Sequence, residues 1–168
     1  DAVLVAVTLI AALGWIFSYH SLQGLPPLLF IGIRFLCGGL VLAAFGMHIG
    51  TAFQLVDDVL DYSGEEADTG KHIGDDLAEG KPTLPLIHVM KHGSAEHAAC
   101  VRSAIENGGR DDFPAVLEAI RASGAIEATQ KAAEAEAELA LNALNALPSS
   151  VFKDSLIQLS QFAVARKY

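Results

Sequence analysis

The sequence predicts an all-α protein, and three observations carry that expectation. No stretch shows the strict apolar–polar alternation of a half-buried strand. Apolar residues recur at helical spacing, most clearly around Gln54–Asp61 and in the last twenty or so residues. The segment Ala125–Leu147 is rich in alanine and glutamate, both strong helix formers. A chain of 168 residues can bury a sizeable core. Its charge is unevenly spread. Arg34 is the sole charged residue between Ala2 and Thr51, whereas nearly all of the net charge of −9 arises after Gly50. Two such different parts suggest two different solvents. The acidic balance argues against a nucleic acid partner, because phosphate binding needs a basic surface. Cys37 and Cys100 have no partner spacing and are expected to be small buried hydrophobes rather than a disulfide or zinc framework.

The first element is an uncharged run, Ala2–Tyr19, about the shortest length that spans a bilayer as a helix. Trp15 and Tyr19 stand where interfacial anchors would. His20–Pro27 has turn composition. Leu28–Met47 is a second apolar run, interrupted once by Arg34. Residues 2–47 therefore predict an apolar helical hairpin, transmembrane by the length criterion, with a buried hairpin as the alternative. A signal peptide fits less well, since no basic segment precedes the first run and a second run follows it.

Three strings in this region resemble the first two helices of EamA-type drug/metabolite transporters. They are Ala11–Ser18, Gly24–Phe30 with its Leu-Pro-Pro turn, and Ile33–Leu36 with its Arg-Phe pair. The resemblance covers about residues 2–45. Two helices cannot form that family's pathway, so transport by this chain is not expected.

The next element, Gly50–Tyr62, predicts a helix. Gln54, Asp57, Asp58 and Asp61 fall at i, i+3, i+4 and i+7 and share one face, with Phe53, Val56, Val59 and Leu60 on the other. Carboxylates this close repel one another, and an isolated helix gains nothing from them. A hard divalent cation reverses the sign, and Mg²⁺ suits two or three carboxylates shared with water and phosphate. A solvated acidic face ending at Gly64 is the plainer alternative. Thr69–Leu86 follows as a polar, glycine-punctuated loop running into an apolar helix. Lys71 and Lys81 lie near Asp75, Asp76 and Glu79 in this loop, and an ammonium is a point charge suited to phosphate. Gly70, Gly74 and Gly80 permit close backbone approach, while Pro82 and Pro85 stand where a helix would begin. Lysines that only offset the neighbouring acids are the alternative here.

The strings GTAFQLVDDVLDY and GKHIGDDLAEGKPTLPLI resemble the second aspartate-rich region of trans-polyprenyl diphosphate synthases, above all the octaprenyl/solanesyl type. The resemblance runs over about residues 46–168, the C-terminal part of such an enzyme, and implies the all-α isoprenoid synthase fold. It implies that Asp57, Asp58 and Asp61 are Mg²⁺ ligands and that Gln54, Lys71, Asp75 and Lys81 face the substrate diphosphate. Asp76 matches the same loop. In that family, isopentenyl diphosphate condenses onto an allylic diphosphate whose departure the metal assists. A homodimer and a cytoplasmic location are implied as well, or the cytoplasmic membrane if the hairpin inserts. The family's first aspartate-rich motif, with its paired arginines, is not found; Asp111-Asp112 has neither the further acid nor the arginines. The two resemblances meet near Ala43–Met47, which divides the chain into residues 1–45 and 46–168. Three readings follow: a synthase part that is inactive alone, a membrane-anchored transporter fragment with a passive synthase part, and a join of two genes without a function as a whole.

The remaining elements complete an all-α pattern. Leu84–Met90 predicts a short apolar helix. His88, His92 and His97 lack a carboxylate or cysteine partner and are expected to be ordinary surface or core histidines. Ala95–Glu106 follows, closed by Asn107-Gly108-Gly109. Asp111 or Asp112 can cap a helix through Ser123, stopped by Gly124. Ala125–Leu147 is next, broken by Pro148. A serine cap then opens Val151–Lys167, with Leu156, Leu159, Phe162 and Ala163 as its packing face.

Overall fold

In the computed structural model the described residues are 14, 26–63, 74–107 and 111–165. All of the regular structure among them is helical, as the absence of strand patterning requires. The chain divides into two compact units, residues 1–40 and 41–168.

The first described helix, α1 (Pro27–Ser63), joins what the sequence suggests are two separate elements. It is about 55 Å long. The backbone passes through Gly46 and Gly50 without a break, because neither adopts a positive φ. Within residues 28–40, Leu28, Ile33, Phe35, Leu36 and Leu40 are exposed. The Arg34 guanidinium lies 5.6 Å from the centre of the Phe30 ring, a cation–π distance. Cys37 is exposed as well, which corrects the expectation of a buried thiol; Cys100 is half-buried, and both are free. The hairpin's first arm apart from Gly14, and its turn before Pro26, lie outside the described residues; its second arm is a helix that runs on into the carboxylate face.

In residues 41–168 the helices α2 (Asp75–Ala78), α3 (Leu84–His92), α4 (Ala95–Asn107), α5 (Phe113–Ser123), α6 (Ala125–Ala143) and α7 (Val151–Ala165) follow α1. A single 3₁₀ turn, Leu144–Ala146, ends α6 where one continuous helix to Leu147 was expected. Helix α3 is the hub and packs against α4, α5 and α6. Its Leu86 and Val89 are wholly buried with Leu77, Val101, Val116 and Ile120 in the larger core. A smaller core gathers Phe45, Ala140 and Leu144, with Ile49, Leu156 and Ile157 packed against it. Helix α6 buries Ala125, Thr129, Ala133, Ala137 and Ala140. These small side chains recur at helical spacing, so helices can approach closely along that stripe.

Several helix ends among the described residues follow their local sequence signals. Gly124 (φ +67) takes the left-handed conformation, and its N–H returns to the Ile120 and Arg121 carbonyls, closing α5 as anticipated. Ser150 Oγ accepts the Lys153 N–H at 3.2 Å and opens α7. Ser94 Oγ caps α4 in the same way through His97 N–H at 3.1 Å. Asp112, expected as a cap, makes no side-chain capping bond because its backbone is already in the right-handed helical region. The packing face of α7 also differs from expectation. Ser160 and Ala163 are buried, while Leu159 and Phe162 are exposed. The inward stripe is therefore 156/160/163, one i, i+4, i+7 row toward α6, and 159/162 fall beside it.

Candidate metal–diphosphate site

The carboxylate end of α1 sits where a row of inward residues meets a row of acids. Ala52, Val56, Val59 and Tyr62 are buried, and they recur at the i, i+4, i+7 spacing of one helix face. Asp58 flanks that row and is drawn in with it, to 6% exposure, whereas Asp57 and Asp61 are half-buried. Gln54 Nε2 donates to Asp58 Oδ1 at 3.0 Å, one turn along the helix. The Leu84 backbone N–H donates to Asp58 Oδ2 at 3.3 Å. Burial pushes the Asp58 carboxyl above the usual range, an effect the Gln54 and Leu84 bonds oppose.

Asp61 holds the next segment. Its carbonyl accepts the Gly74 N–H at 3.1 Å, and its Oδ2 accepts the Asp76 N–H at 3.4 Å. Burial, and then the negative charge of Asp76, raise its pKa to about 6. Asp75 and Asp76 open the four-residue helix α2, an element that the loop reading of this stretch lacks. Gly74 (φ +81) leads into it, and a Cβ there would sit 2.5 Å from the Phe113 ring, so only glycine fits. Gly80 (φ +70) is also left-handed, while Gly70 lies outside the described residues. Tyr62 OH lies 3.2 Å from Thr83 Oγ1, and its ring stacks on Phe113 with centroids 6.3 Å apart. Burial drives the Tyr62 phenol upward, so it stays protonated.

Of the expected diphosphate contacts, Lys81 is exposed and pairs with Asp76 Oδ1 at 2.9 Å and Glu79 Oε2 at 2.6 Å. Those bonds raise the lysine's pKa and lower that of Glu79. Lys71 lies outside the described residues. Gln54 is tied to Asp58, and Asp75 is half-buried at the start of α2. Among the described residues no three His, Cys, Asp or Glu side chains converge to hold a metal ion. The donor chemistry still suits Mg²⁺, which commonly takes one or two carboxylates and completes its shell with water and phosphate oxygens. The His88 and His92 rings lie with centroids 4.7 Å apart and planes tilted by 41°, a contact between neighbours one turn apart on α3. The bond between His48 Nδ1 and Glu136 Oε2, at 2.7 Å, was not anticipated, since nothing in a linear sequence pairs residues that distant.

Residues 40–120 match the family model of polyprenyl synthetases. Over these residues the chain is similar to the polyprenyl synthetase family. The chain is 50% identical over 123 residues to the octaprenyl diphosphate synthase of Escherichia coli, an alignment that covers 73% of this chain and 38% of that enzyme. It is 42% identical over 125 residues to the all-trans-nonaprenyl-diphosphate synthase of Rhodobacter capsulatus, again over 38% of the relative. The chain thus spans well under half of the curated relatives it matches. The polyprenyl synthase of Caulobacter crescentus, solved with calcium and isoprenyl diphosphate, superposes with a TM-score of 0.71 at 36% identity, over 79% of this chain and 41% of that one. A geranylgeranyl pyrophosphate synthase of Corynebacterium glutamicum, solved with isoprenyl diphosphate and magnesium, gives 0.66 at 32% identity, over 75% and 37%. The all-α isoprenoid synthase fold follows from these likenesses. The transporter resemblance precedes the family match for nearly all of its length and rests on its sequence pattern alone.

Proposed function

We propose that residues 46–168 are the C-terminal part of a trans-polyprenyl diphosphate synthase of the octaprenyl type, retaining one side of a metal–diphosphate site. The observation that carries this reading is the acidic face of α1 folded against the Asp75–Lys81 segment, which gathers four charged groups, Asp58, Asp61, Asp76 and Lys81. Asp57 and Asp61 offer the oxygen ligands, and Asp58 stands behind this pair. Mg²⁺, once bound, would neutralise the charge of a departing diphosphate. Lys81 would exchange its carboxylate partners for phosphate oxygens, with Lys71 as the second cation. Gln54, held by Asp58, and Asp75 would border the diphosphate. The substrates on this reading are an allylic diphosphate and isopentenyl diphosphate, and the enzyme would act as a homodimer in the cytoplasm. A single aspartate-rich face is half of a two-sided clamp, so the chain by itself elongates no prenyl chain. Incubation with Mg²⁺, farnesyl diphosphate and labelled isopentenyl diphosphate is expected to yield no longer product. Product formation that Asp57→Ala abolishes would contradict that expectation.

A second reading, favoured by one further observation, concerns residues 28–47. The helix there meets the length and composition of a membrane span, and most of its large apolar side chains are exposed, Phe45 being buried. An all-round apolar helix is either a buried core helix or a membrane segment. Its exposure here favours association with a bilayer. Flotation of the chain with liposomes supports this reading; a monodisperse chain in plain buffer that ignores them overturns it. Residues 41–168 can carry the first function whichever way the second is decided.

A further inference from the structure

Asp58 is the one carboxylate that is buried among the described residues. Both of its oxygens are engaged, one by the Gln54 amide and one by the Leu84 N–H. Leu84 is the first residue of α3, where helix N–H groups lack intrahelical partners. The residue at the N-cap, Thr83, makes no side-chain cap, and its hydroxyl meets Tyr62 instead. Pro85, next in the turn, has no N–H to offer. The cap that α3 lacks locally is therefore supplied from α1, by a carboxylate that also complements the positive end of the helix. Asp58 and Tyr62 stand one turn apart and together grip Thr83 and Leu84. Asp61 holds the other end of the same segment through Gly74 and Asp76. The stretch 74–84, which carries Asp75, Asp76 and Lys81, is thus fastened to α1 at both ends.

We propose that Asp58 is a strut that seats the first turn of α3 on the carboxylate helix, a positioning residue that sets the place of Lys81 and not a ligand of the metal; the second half of this rests on the diphosphate-site reading above. The aspartates of the acidic face then divide their work, with Asp57 on the metal side and Asp58 on the protein side.

The test uses the full chain with Asp58→Ala, Asp58→Asn and Asp57→Asn, and reads two quantities. One is amide hydrogen exchange at Leu84; the other is calorimetric binding of Mg²⁺ with inorganic diphosphate. Asp58→Ala is expected to speed Leu84 exchange about five- to tenfold, the ratio that loss of a helix cap corresponds to, and to weaken binding. Asp58→Asn keeps an oxygen that accepts the Leu84 N–H, so it recovers most of both losses. Asp57→Asn leaves Leu84 exchange alone and loses binding. If Asp58→Asn loses as much binding as Asp57→Asn while Leu84 stays protected, Asp58 is a ligand and the proposal is overturned. Unchanged Leu84 exchange in Asp58→Ala overturns the strut outright. Should the wild-type chain bind no Mg²⁺–diphosphate, the site reading fails, and the exchange arm alone decides the strut.

Discussion

Two stretches of α1 have the same conformation and opposite surroundings. Around residues 28–40 large apolar side chains face outward, and Phe35 is 75% exposed. Ten residues further along, Phe45 is 5% exposed, and Ala52, Val56, Val59 and Tyr62 are buried after it. Helical geometry alone does not separate them. What separates them is whether other elements cover the face: α6, α7 and the 3₁₀ turn supply partners for Phe45, and α2 to α5 supply them for Tyr62. The difference shows that apolar character marks where a partner is needed, not where one is found. The polar side of α1 changes over the same distance, from the lone Arg34 to a dense row of carboxylates.

The largest effect that can break this comparison is a pair of identical truncations. Phe45→Ala should destabilise the fold by about 3–5 kcal/mol in urea unfolding, as expected for a phenylalanine removed from a core. Phe35→Ala should change stability by no more than about 0.5 kcal/mol, as for other exposed positions. Equal losses would mean that residues 28–40 are covered after all.

Overpacking comes next. Ala133→Leu on the buried stripe of α6 should cost about 1–3 kcal/mol, whereas Ala135→Leu on its exposed side should cost little. A smaller effect is expected from pH. Asp61 has a folded pKa of about 6, above its unfolded value near 4. Between those values the folded chain holds the extra proton, so stability falls as pH rises from about 4 to about 6. Asp61→Asn should raise the melting temperature at pH 7 and flatten the profile in that window. A profile unchanged by the substitution would contradict the raised Asp61 pKa that burial, and then the Asp76 charge, produce. Least of all, His48→Ala should cost under about 1 kcal/mol by the same unfolding measurement, because its bond to Glu136 is partly solvent-exposed.

Much of this fold is legible in the sequence, and the parts that are not share a cause. Gly124, Ser150 and Pro85 mark helix ends through local backbone chemistry, which the linear sequence carries. The acidic row at Gln54, Asp57, Asp58 and Asp61 is likewise visible as spacing. The inward turn of Asp58 is not, because it depends on Leu84, a partner 26 residues away. The same holds for His48 with Glu136 and for the exposed sides of Leu159 and Phe162, which depend on where α6 lies. Helix α2 escapes pattern reading because four residues are too few to show a period. The merging of two expected elements into α1 has another reason. Glycine and a change of composition suggest a boundary, yet neither forces the backbone out of a helix.

The central claim is that the acidic face of α1 binds a metal–diphosphate pair through Asp57. Isothermal titration of Mg²⁺ with inorganic diphosphate into the full chain, beside Asp57→Ala, tests it most directly. The account predicts weak, saturable binding that requires Mg²⁺ and disappears in the variant. Absence of binding in the wild-type chain, or binding of equal strength in Asp57→Ala, would contradict it.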